Sequence, residues 1–445
     1  MVSARLISPL AAATTLLLLA SLAAGAHAAP VLQKAPASAT LIYGTDQKPD
    51  TLNRLLAQLV SASDILAGVV EPLVRSDAHH NIIPDLATSY NISRDNLTYT
   101  FHLRHGVRWA DGTPFTAKDV LFTYRQITNP KNNNTGGPGA NHISSVATPD
   151  DYTVVFHTSK VFAPFLTSMG ETPILPAHYF QHSASFVASG NYNHDPYNRT
   201  PFGTGPYKVT QWVSADHITL VPNKYYWGRK PHFQKIVVKI VPNVNTLLVQ
   251  LRTGEVQLAR VSQQHVDVAR SIPGTALVTR PSQAWYHIDL KQYGFLRDQQ
   301  VRVALDYATP KRAILDKVLH GYGQVSTGDI APTMWAYTAA AIAHPFNLKT
   351  AAALLASDGF TKGSDGYLQK GGRPLSMQLW YYNSDAPGAQ IDDILAYEWG
   401  RIGVRVDLRH QDVSTIFGPN GPQFTKTMTG ISYAYFNGND PDDSY

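Results

Sequence analysis

The richest combination of binding side chains in this sequence lies near its end, in Tyr433-Ala-Tyr-Phe-Asn-Gly-Asn-Asp-Pro-Asp-Asp443. A predicted strand ends here and gives way to a polar turn. Open α/β sheets bind ligands just beyond the carboxyl ends of their strands, so this turn is a candidate binding site. Alternatively, Asp440 and Asp442 form an Asx turn ahead of Pro441 and have a purely structural role.

Aromatic side chains in the predicted strands could add stacking or cation–π contacts to such a site. The candidates are Trp285, Tyr286, Trp380, Tyr381, Tyr435 and Phe436. The structural alternative for each aromatic side chain is a place in the hydrophobic core, so these residues are candidates rather than assignments.

Motifs for catalysis or metal binding are not found in the sequence. It lacks a Gly-x-Ser-x-Gly turn, a Gly-rich loop ending in Lys-Ser or Lys-Thr, and a His-Glu-x-x-His pair. His79 and His80 are adjacent, and adjacent side chains point apart in an extended chain, so we expect no metal site there. We therefore predict a binding protein without a cofactor. A secreted hydrolase is the alternative class, although the sequence shows no recognisable set of nucleophile, base and orienting group.

The beginning of the chain predicts export. Arg5 precedes an apolar run from about Leu10 to Ala24, and Ala26-His27-Ala28 is a small-x-small cleavage site. We expect residues 1–28 to be a signal peptide; a retained membrane anchor is the alternative. The chain has no Cys, so it contains no disulfide and no thiolate metal site. The net charge of +5 is small and its Lys and Arg are scattered, which excludes a nucleic-acid-binding footprint.

The length of 445 residues predicts two or three lobes. We place lobe I at 29–280, with a subdomain at about 75–200, and lobe II at 281–445. Pro281 interrupts the pattern between them and is a candidate hinge. Local signals predict a helix at Leu52–Val60 capped by Asp50, and another beginning near Ala117 after Thr116. Strands predicted in lobe II are Trp285–Leu290, Leu375–Trp380, Val404–Leu408 and Ile431–Tyr435. Strands and helices alternate, which indicates an α/β fold.

One long segment carries a family resemblance. From Tyr99 to Val120 the sequence reads as a strand, a tight turn at Asp111-Gly112 and a capped helix. Residue for residue it resembles the signature of the family 5 extracytoplasmic solute-binding proteins, the peptide and nickel receptors of ABC importers. Further matches follow in the same order at Phe202–Lys208, Val221–Gly228, Gln250–Glu255 and Leu296–Leu305. Their order and spacing make the resemblance specific.

The resemblance implies a two-lobed periplasmic-binding-protein fold of class II, with an extra subdomain in lobe I. In the family, segments that return after lobe II complete lobe I. This sequence stops at Tyr445, so the resemblance implies a truncated chain that lacks the return segments. A remnant without function is therefore a third possibility.

The resemblance also implies a function and its partners. It predicts a monomeric receptor that captures a peptide or similar small solute between its lobes and delivers it to the transmembrane subunits of an ABC permease. With no Cys for lipid attachment, we expect a soluble periplasmic protein. A sugar, an opine, an amine or a metal chelate is the alternative ligand, since nickel receptors of the family hold their metal through a chelator.

In peptide-binding relatives, the turn after the last strand supplies an Asp that pairs with the α-ammonium group of the ligand. Aligning the Asp-Pro-Asp at 440–442 puts Asn437 at that position; a shifted alignment restores Asp440 to the role. Dipeptide-binding relatives also carry an Arg in the loop after the Leu375 strand, where this chain has Asp385. Both charged anchors therefore differ, and a neutral, hydroxyl-rich or cationic ligand becomes plausible.

Overall fold

A computed structural model of the chain describes residues 39–436 apart from several internal ranges. The ranges left out are 58, 78–80, 135–138, 280–283, 329, 331, 333–336, 339–343, 383–385, 412, 417–421 and 423–428. The predicted signal peptide, the His79-His80 pair and the candidate hinge at Pro281 lie outside the described residues.

Strands and helices alternate along the described chain. The strands are Thr40–Thr45 (β1), Val74–Ser76 (β2), Ile82–Pro84 (β3), Ala87–Ile92 (β4), Thr98–Leu103 (β5), Ile143–Asp150 (β6), Thr153–Thr158 (β7), Tyr207–Val213 (β8), His217–Pro222 (β9), Lys235–Ile240 (β10), Leu258–Ala259 (β11), Ala284–Leu290 (β12), Thr361–Lys362 (β13), Leu368–Lys370 (β14), Arg373–Pro374 (β15), Ser376–Tyr382 (β16), Arg405–Gln411 (β17) and Gly430–Phe436 (β18). The α-helices are Val60–Leu66 (α1), Ala117–Ile127 (α2), Phe165–Glu171 (α3), Ala177–His182 (α4), Ala184–Ser189 (α5), Val244–Thr253 (α6), Val266–Arg270 (α7), Gln299–Tyr307 (α8), Lys311–Lys317 (α9), Leu348–Ser357 (α10), Ala386–Arg401 (α11) and Val413–Ile416 (α12). None of these described helices combines the length and the hydrophobicity that a membrane span needs.

The larger sheets each have a distinct strand order. The first runs β11-β1-β10-β9-β8, with β1 parallel to both β10 and β11. The second is the antiparallel sheet β4-β5-β7-β6. The third runs β12-β18-β16-β17, in which β16 is parallel to β17 and β18 while β12 is antiparallel to β18. Helices alternate with strands of mixed and antiparallel sheets, which confirms the mixed α/β class predicted from the sequence.

The buried apolar residues form separate clusters on the two sides of position 280. The antiparallel sheet and α2 share a cluster that extends from Leu55 to Tyr197, and the first sheet packs with α1 in another. The third sheet packs with α8, α10 and α11 in a cluster that extends from Leu296 to Val404. The described residues nevertheless form one connected unit, so the exact lobe boundaries stay a prediction.

The helix predicted after Thr116 is present as α2. The Thr116 hydroxyl accepts a hydrogen bond from the Lys118 amide, and the Asp119 carboxylate accepts one from the Thr116 amide at 2.9 Å. Together these contacts form a capping box, which satisfies amide groups that the first helical turn leaves free.

The helix predicted at Leu52–Val60 is wrong, because the first helix begins at Val60. The amide of Leu52 donates to the carbonyl of Asn198 at 2.8 Å, and the Asn53 side chain donates to Asn198 Oδ1 at 3.0 Å. Asn53 is fully buried and its Oδ1 accepts from the Leu55 amide. A distant buried partner therefore overrides the local helical pattern.

The segments that carry the family resemblance in the first half of the chain are in contact with one another. The carbonyl of Gly203 accepts a hydrogen bond from the Ala110 amide, and a Cβ at Gly203 would lie 2.0 Å from the Val69 carbonyl oxygen. The side chain of Asn223 donates to the Gly205 carbonyl at 2.9 Å. These motifs hold backbone segments at close approach, so their role is architectural.

Candidate functional site

The predicted ligand segments converge on one edge of the third sheet. Because β16, β17 and β18 are parallel, their carboxyl ends meet at the same edge. The antiparallel strand β12 begins at that edge, where Trp285 lies opposite Tyr435 and Ala284 lies opposite Phe436 in the strand register. The edge therefore brings together chain segments that are up to about 150 residues apart in sequence.

The two faces of this sheet differ in chemistry, and the candidate aromatic residues divide between them. Tyr286 packs against the apolar cluster of the third sheet, together with Leu379 on β16. Successive residues of a strand alternate between faces, so Trp285 and Trp380 lie on the opposite face from Tyr286 and Tyr381. We call the side of Trp285 and Trp380 the polar face. Tyr286 is thus half-buried against the apolar cluster, and its contact with a ligand stays a prediction.

Trp285 and Trp380 occupy different levels of the polar face. Trp380 pairs with Ile431, whereas Trp285 pairs with Tyr435, four residues further along β18. At about 3.3 Å per residue, the two levels are about 13 Å apart along the strand direction. Trp285 is thus nearer the end of β18, and the two indoles could contact different parts of an extended ligand.

A stacked pair of rings lies beside the edge on β12. The rings of Trp285 and His287 are parallel to within 22°, and their centroids are 4.4 Å apart. His287 Nε2 lies 3.4 Å from Asp289 Oδ1. Burial lowers the pKa of His287, and the carboxylate of Asp289 opposes that shift. On β12, Trp285 therefore offers an aromatic ring beside His287, and burial favours the neutral form of that histidine.

The neighbouring strands add one further stack and one ion pair. Tyr381 stacks on His410 at 5.5 Å between ring centroids. On β17, Arg409 Nη2 lies 2.6 Å from Asp407 Oδ2, with both side chains about half exposed. The Trp380 indole donates to Gln378 Oε1 at 3.3 Å. The Tyr381–His410 stack lies on the face of Tyr286, whereas Trp380 and Arg409 lie on the polar face. The charge of Arg409 is compensated by Asp407, so among these residues the polar face offers aromatic contact and no uncompensated positive charge.

The predicted polar anchors Asp385, Asn437 and Asp440 lie outside the described residues. For Tyr435 and Phe436 the structure gives the strand position. In the described part of the chain, no group of three or more His, Asp and Glu is placed to hold a metal ion. The anchor assignments therefore stay predictions.

Another group of side chains, which sequence reasoning missed, lies at the carboxyl end of the first sheet. The Tyr43 hydroxyl donates to Asp64 Oδ2 at 3.0 Å, and Arg260 Nη1 lies 3.3 Å from the same oxygen. Burial and the charge of Asp64 raise the pKa of Tyr43. Arg260 follows β11 directly, and 196 residues separate it from Asp64. No local pattern could have paired them.

Two buried carboxyl groups lie in the first half of the chain. Trp227 Nε1 donates to Glu71 Oε2 at 2.9 Å, and the Arg104 guanidinium lies 4.1 Å from the Trp227 ring centroid. Burial raises the pKa of Glu71. Burial and the charge of Glu71 raise the pKa of Asp85 to about 7, against the opposing charges of Arg75 and Arg104. Asp85 is therefore a titrating group near neutral pH.

A cavity of about 240 Å³ lies at the other edge of the third sheet. Its lining includes Leu296 and Val301 together with Ser376 and Thr429, which lie at the starts of β16 and β18. It is therefore separate from the edge where the predicted ligand residues meet.

Comparisons with known proteins agree with the architecture. The sequence profile of the bacterial extracellular solute-binding proteins, family 5 middle region, matches residues 81–445. Protein XP55 of Streptomyces lividans is 29% identical over 363 residues, which cover 81% of this chain and 64% of that protein. A putative ABC transporter peptide-binding protein of Brucella ovis is 29% identical over 407 residues, covering 89% of this chain and 74% of its own.

A solved structure supports the same fold. NikZ from Campylobacter jejuni, in complex with Ni(L-His), matches with a TM-score of 0.77 at 25% identity. The match covers 91% of this chain and 78% of NikZ. The two-lobed periplasmic-binding-protein fold expected from the sequence is confirmed. The chain belongs to family 5 of the bacterial extracellular solute-binding proteins.

Proposed function

We propose that this protein is the substrate-binding component of an ABC importer, which captures a peptide or similar small solute between two lobes and delivers it to a membrane permease. The carrying observation is the convergence of the predicted ligand segments on the carboxyl edge of β16, β17 and β18, in a chain of a solute-binding family. The relative from Brucella ovis is named as a peptide-binding protein of an ABC transporter.

The proposed lobes are 29–280, with a subdomain at about 75–200, and 281–445. The separation of the apolar clusters on either side of position 280 supports this division. The antiparallel sheet at 87–158 and its own cluster support the subdomain. Ligand contacts made by both lobes would favour a closed arrangement over an open one.

The proposed site on lobe II comprises Trp285 and Trp380 on the polar face, Tyr381 and Tyr286 on the opposite face of the same edge, and the strand positions of Tyr435 and Phe436. Asp385 and either Asn437 or Asp440 complete it as polar anchors. We further propose a monomeric protein that acts in the periplasm after removal of residues 1–28 and catalyses no reaction.

A metal chelate is the second candidate ligand. NikZ, which resembles this chain, was solved in complex with Ni(L-His). An aromatic face such as that of Trp285 and His287 could contact the organic part of such a complex without ligating the metal. The peptide remains the first candidate because the Brucella ovis relative is named for it.

Calorimetry tests the proposal with defined solutes. We would titrate the mature protein with a tripeptide, its N-acetylated form, Ni²⁺ with excess L-His, an opine and a disaccharide. Saturable one-to-one binding of one class, with no new product by mass spectrometry, is the expected result. Turnover of a peptide would favour the hydrolase instead. If every class fails to bind at millimolar concentration, the proposed function is contradicted.

A further inference from the structure

Tyr322 connects two parts of the molecule that have separate apolar clusters. Its hydroxyl accepts a hydrogen bond from Arg270 Nη2 at 2.7 Å and donates one to Asp267 Oδ1 at 3.2 Å. Arg270 Nη1 lies 3.3 Å from the same Asp267 oxygen. A closed triangle of hydrogen bonds therefore joins α7, before position 280, to the turn after α9.

Each partner is fixed to its own side. On α7, Val266 and Ala269 are buried, and Ala269 packs with Leu248 of α6. On the other side, the Tyr322 amide donates to the Leu319 carbonyl at 2.9 Å, and the Gly321 amide donates to the Leu315 carbonyl at 2.9 Å. Leu315 itself is buried. If the two sides of the molecule move apart, Tyr322 and α7 therefore move with their own sides and the hydrogen bonds between them break.

The turn that presents Tyr322 has an unusual backbone. His320 has a φ of 53° and Gly321 a φ of 76°, both in the left-handed region. A histidine in that region has a strained backbone, and contacts of the surrounding turn must offset the strain. The conformation ends α9 and directs the chain back toward α7, so the position of Tyr322 is defined by the backbone.

We propose that Tyr322, Arg270 and Asp267 form a latch that restrains the movement of the two lobes relative to each other. The latch favours the lobe arrangement in which these hydrogen bonds are made. Its role in solute capture rests on the proposed function above. Its mechanical effect does not, because all three groups of the latch belong to the chain itself.

The latch residues are partly exposed, which sets the size of the effect. The side chains of Arg270 and Asp267 are 57% and 69% exposed, so water competes for their hydrogen bonds. We expect loss of the Tyr322 hydroxyl to change the ratio of the two lobe arrangements by about three- to tenfold, as two modest hydrogen bonds to charged groups would.

Distance measurements between spin labels test the latch without a ligand. The chain has no Cys, so Ala188→Cys on α5 and Ala353→Cys on α10, both exposed, give one label on each side. We expect Tyr322→Phe to shift or broaden the distance distribution. Arg270→Gln should have the same effect, and the double variant should add little to either.

The matched control is Tyr397→Phe. Tyr397 is also a tyrosine beside an arginine, with Arg401 at 5.9 Å from its ring centroid, but both lie on α11. Its distribution should equal that of the labelled parent. If both Tyr322→Phe and Arg270→Gln remain folded by circular dichroism and keep the parent distribution, the latch is wrong. If Tyr322→Phe does not fold, Arg270→Gln alone decides. A shifted distribution in a protein that binds none of the solutes would sustain the latch and refute the proposed function.

Discussion

Trp109 Nε1 donates a hydrogen bond to Asp119 Oδ2 at 3.3 Å, inside the segment that carries the family resemblance. Asp119 is 4% exposed. The same carboxylate accepts from the amide of Thr116 and, through its other oxygen, from the amide of Ala177 at 2.9 Å. Burial raises the pKa of Asp119, and these hydrogen bonds oppose the shift. Within the segment from Tyr99 to Val120, Asp119 thus has a structural role, because it connects three parts of the chain through hydrogen bonds.

The first prediction is that Asp119→Ala destabilises the protein by about 2–4 kcal/mol, because three donors lose their buried acceptor. Urea unfolding followed by tryptophan fluorescence measures the change. Lys118→Ala is the control, since the ion pair of Lys118 with Asp151 at 3.4 Å is solvent-exposed and should contribute little. Equal stability of the two variants would contradict the structural role.

The second prediction concerns pH. The folded state holds the pKa of Asp85 at about 7, above its ordinary value of 3.8. Between these values the folded state binds more protons than the unfolded state. The stability from this group is therefore full below pH 4 and is lost as pH rises through 7, by about 4 kcal/mol.

Asp85→Asn should remove this loss, so the variant should be more stable than the parent at pH 8 and show a flatter profile from pH 4.5 to 8. Denaturant unfolding at a series of pH values measures it. The control Asp393→Asn, at an exposed position of α11, should keep the parent profile. A parent protein whose stability rises over this range would contradict the role of Asp85.

The sequence predicted the elements whose causes are local. The helix after Thr116 was predictable because Thr116 and Asp119 form its cap within four residues. The helix expected at Leu52–Val60 failed because the partner of Asn53 is Asn198, which no local pattern identifies. The order of the first sheet was equally hidden, since β1 lies between β10 and β11 from distant parts of the chain.

In the candidate site, too, some features follow from local sequence and others depend on tertiary contacts. Its edge was predictable, because parallel strands must bring their carboxyl ends together. The division of Trp285 and Tyr286 between two faces follows from alternation, but only the structure shows that the Tyr286 side packs against the apolar cluster. Arg260 beside Tyr43 and Asp64 was beyond sequence reasoning, because tertiary contact alone joins them.

The third prediction uses a pair of glycines. A Cβ at Gly203 would lie 2.0 Å from the Val69 carbonyl oxygen, so Gly203→Ala must displace backbone. We expect a destabilisation of more than about 3 kcal/mol. Gly400 is helical and a Cβ there meets nothing within 4 Å, so Gly400→Ala should instead stabilise by about 0.5–1 kcal/mol. Thermal unfolding compares them, and the same sign for both would contradict the packing.

The fourth prediction tests the proposed anchor. Asn437→Asp should increase affinity for ligands with a free α-amino group, because a fixed carboxylate supplies the counter-charge that an amide lacks. Calorimetry with a tripeptide and its N-acetylated form measures the difference. Asp440→Asn is the companion variant. A loss of affinity in Asp440→Asn without a gain in Asn437→Asp would favour Asp440 as the anchor.

The fifth prediction separates ligand contact from core packing. If Trp285 stacks on the solute, Trp285→Ala should weaken binding about tenfold, as expected for loss of an aromatic contact of 1–2 kcal/mol.

Trp212→Ala is the control: its ring is also half-buried, with the Arg199 guanidinium at 4.4 Å, but it lies on β8 of the first sheet. Trp212→Ala should keep the parent affinity. Tyr286→Phe should do so too, because its ring packs against the apolar cluster. If Trp285→Ala also retains the parent affinity, the ligand does not contact the polar face at this level, and the site must lie elsewhere along the edge.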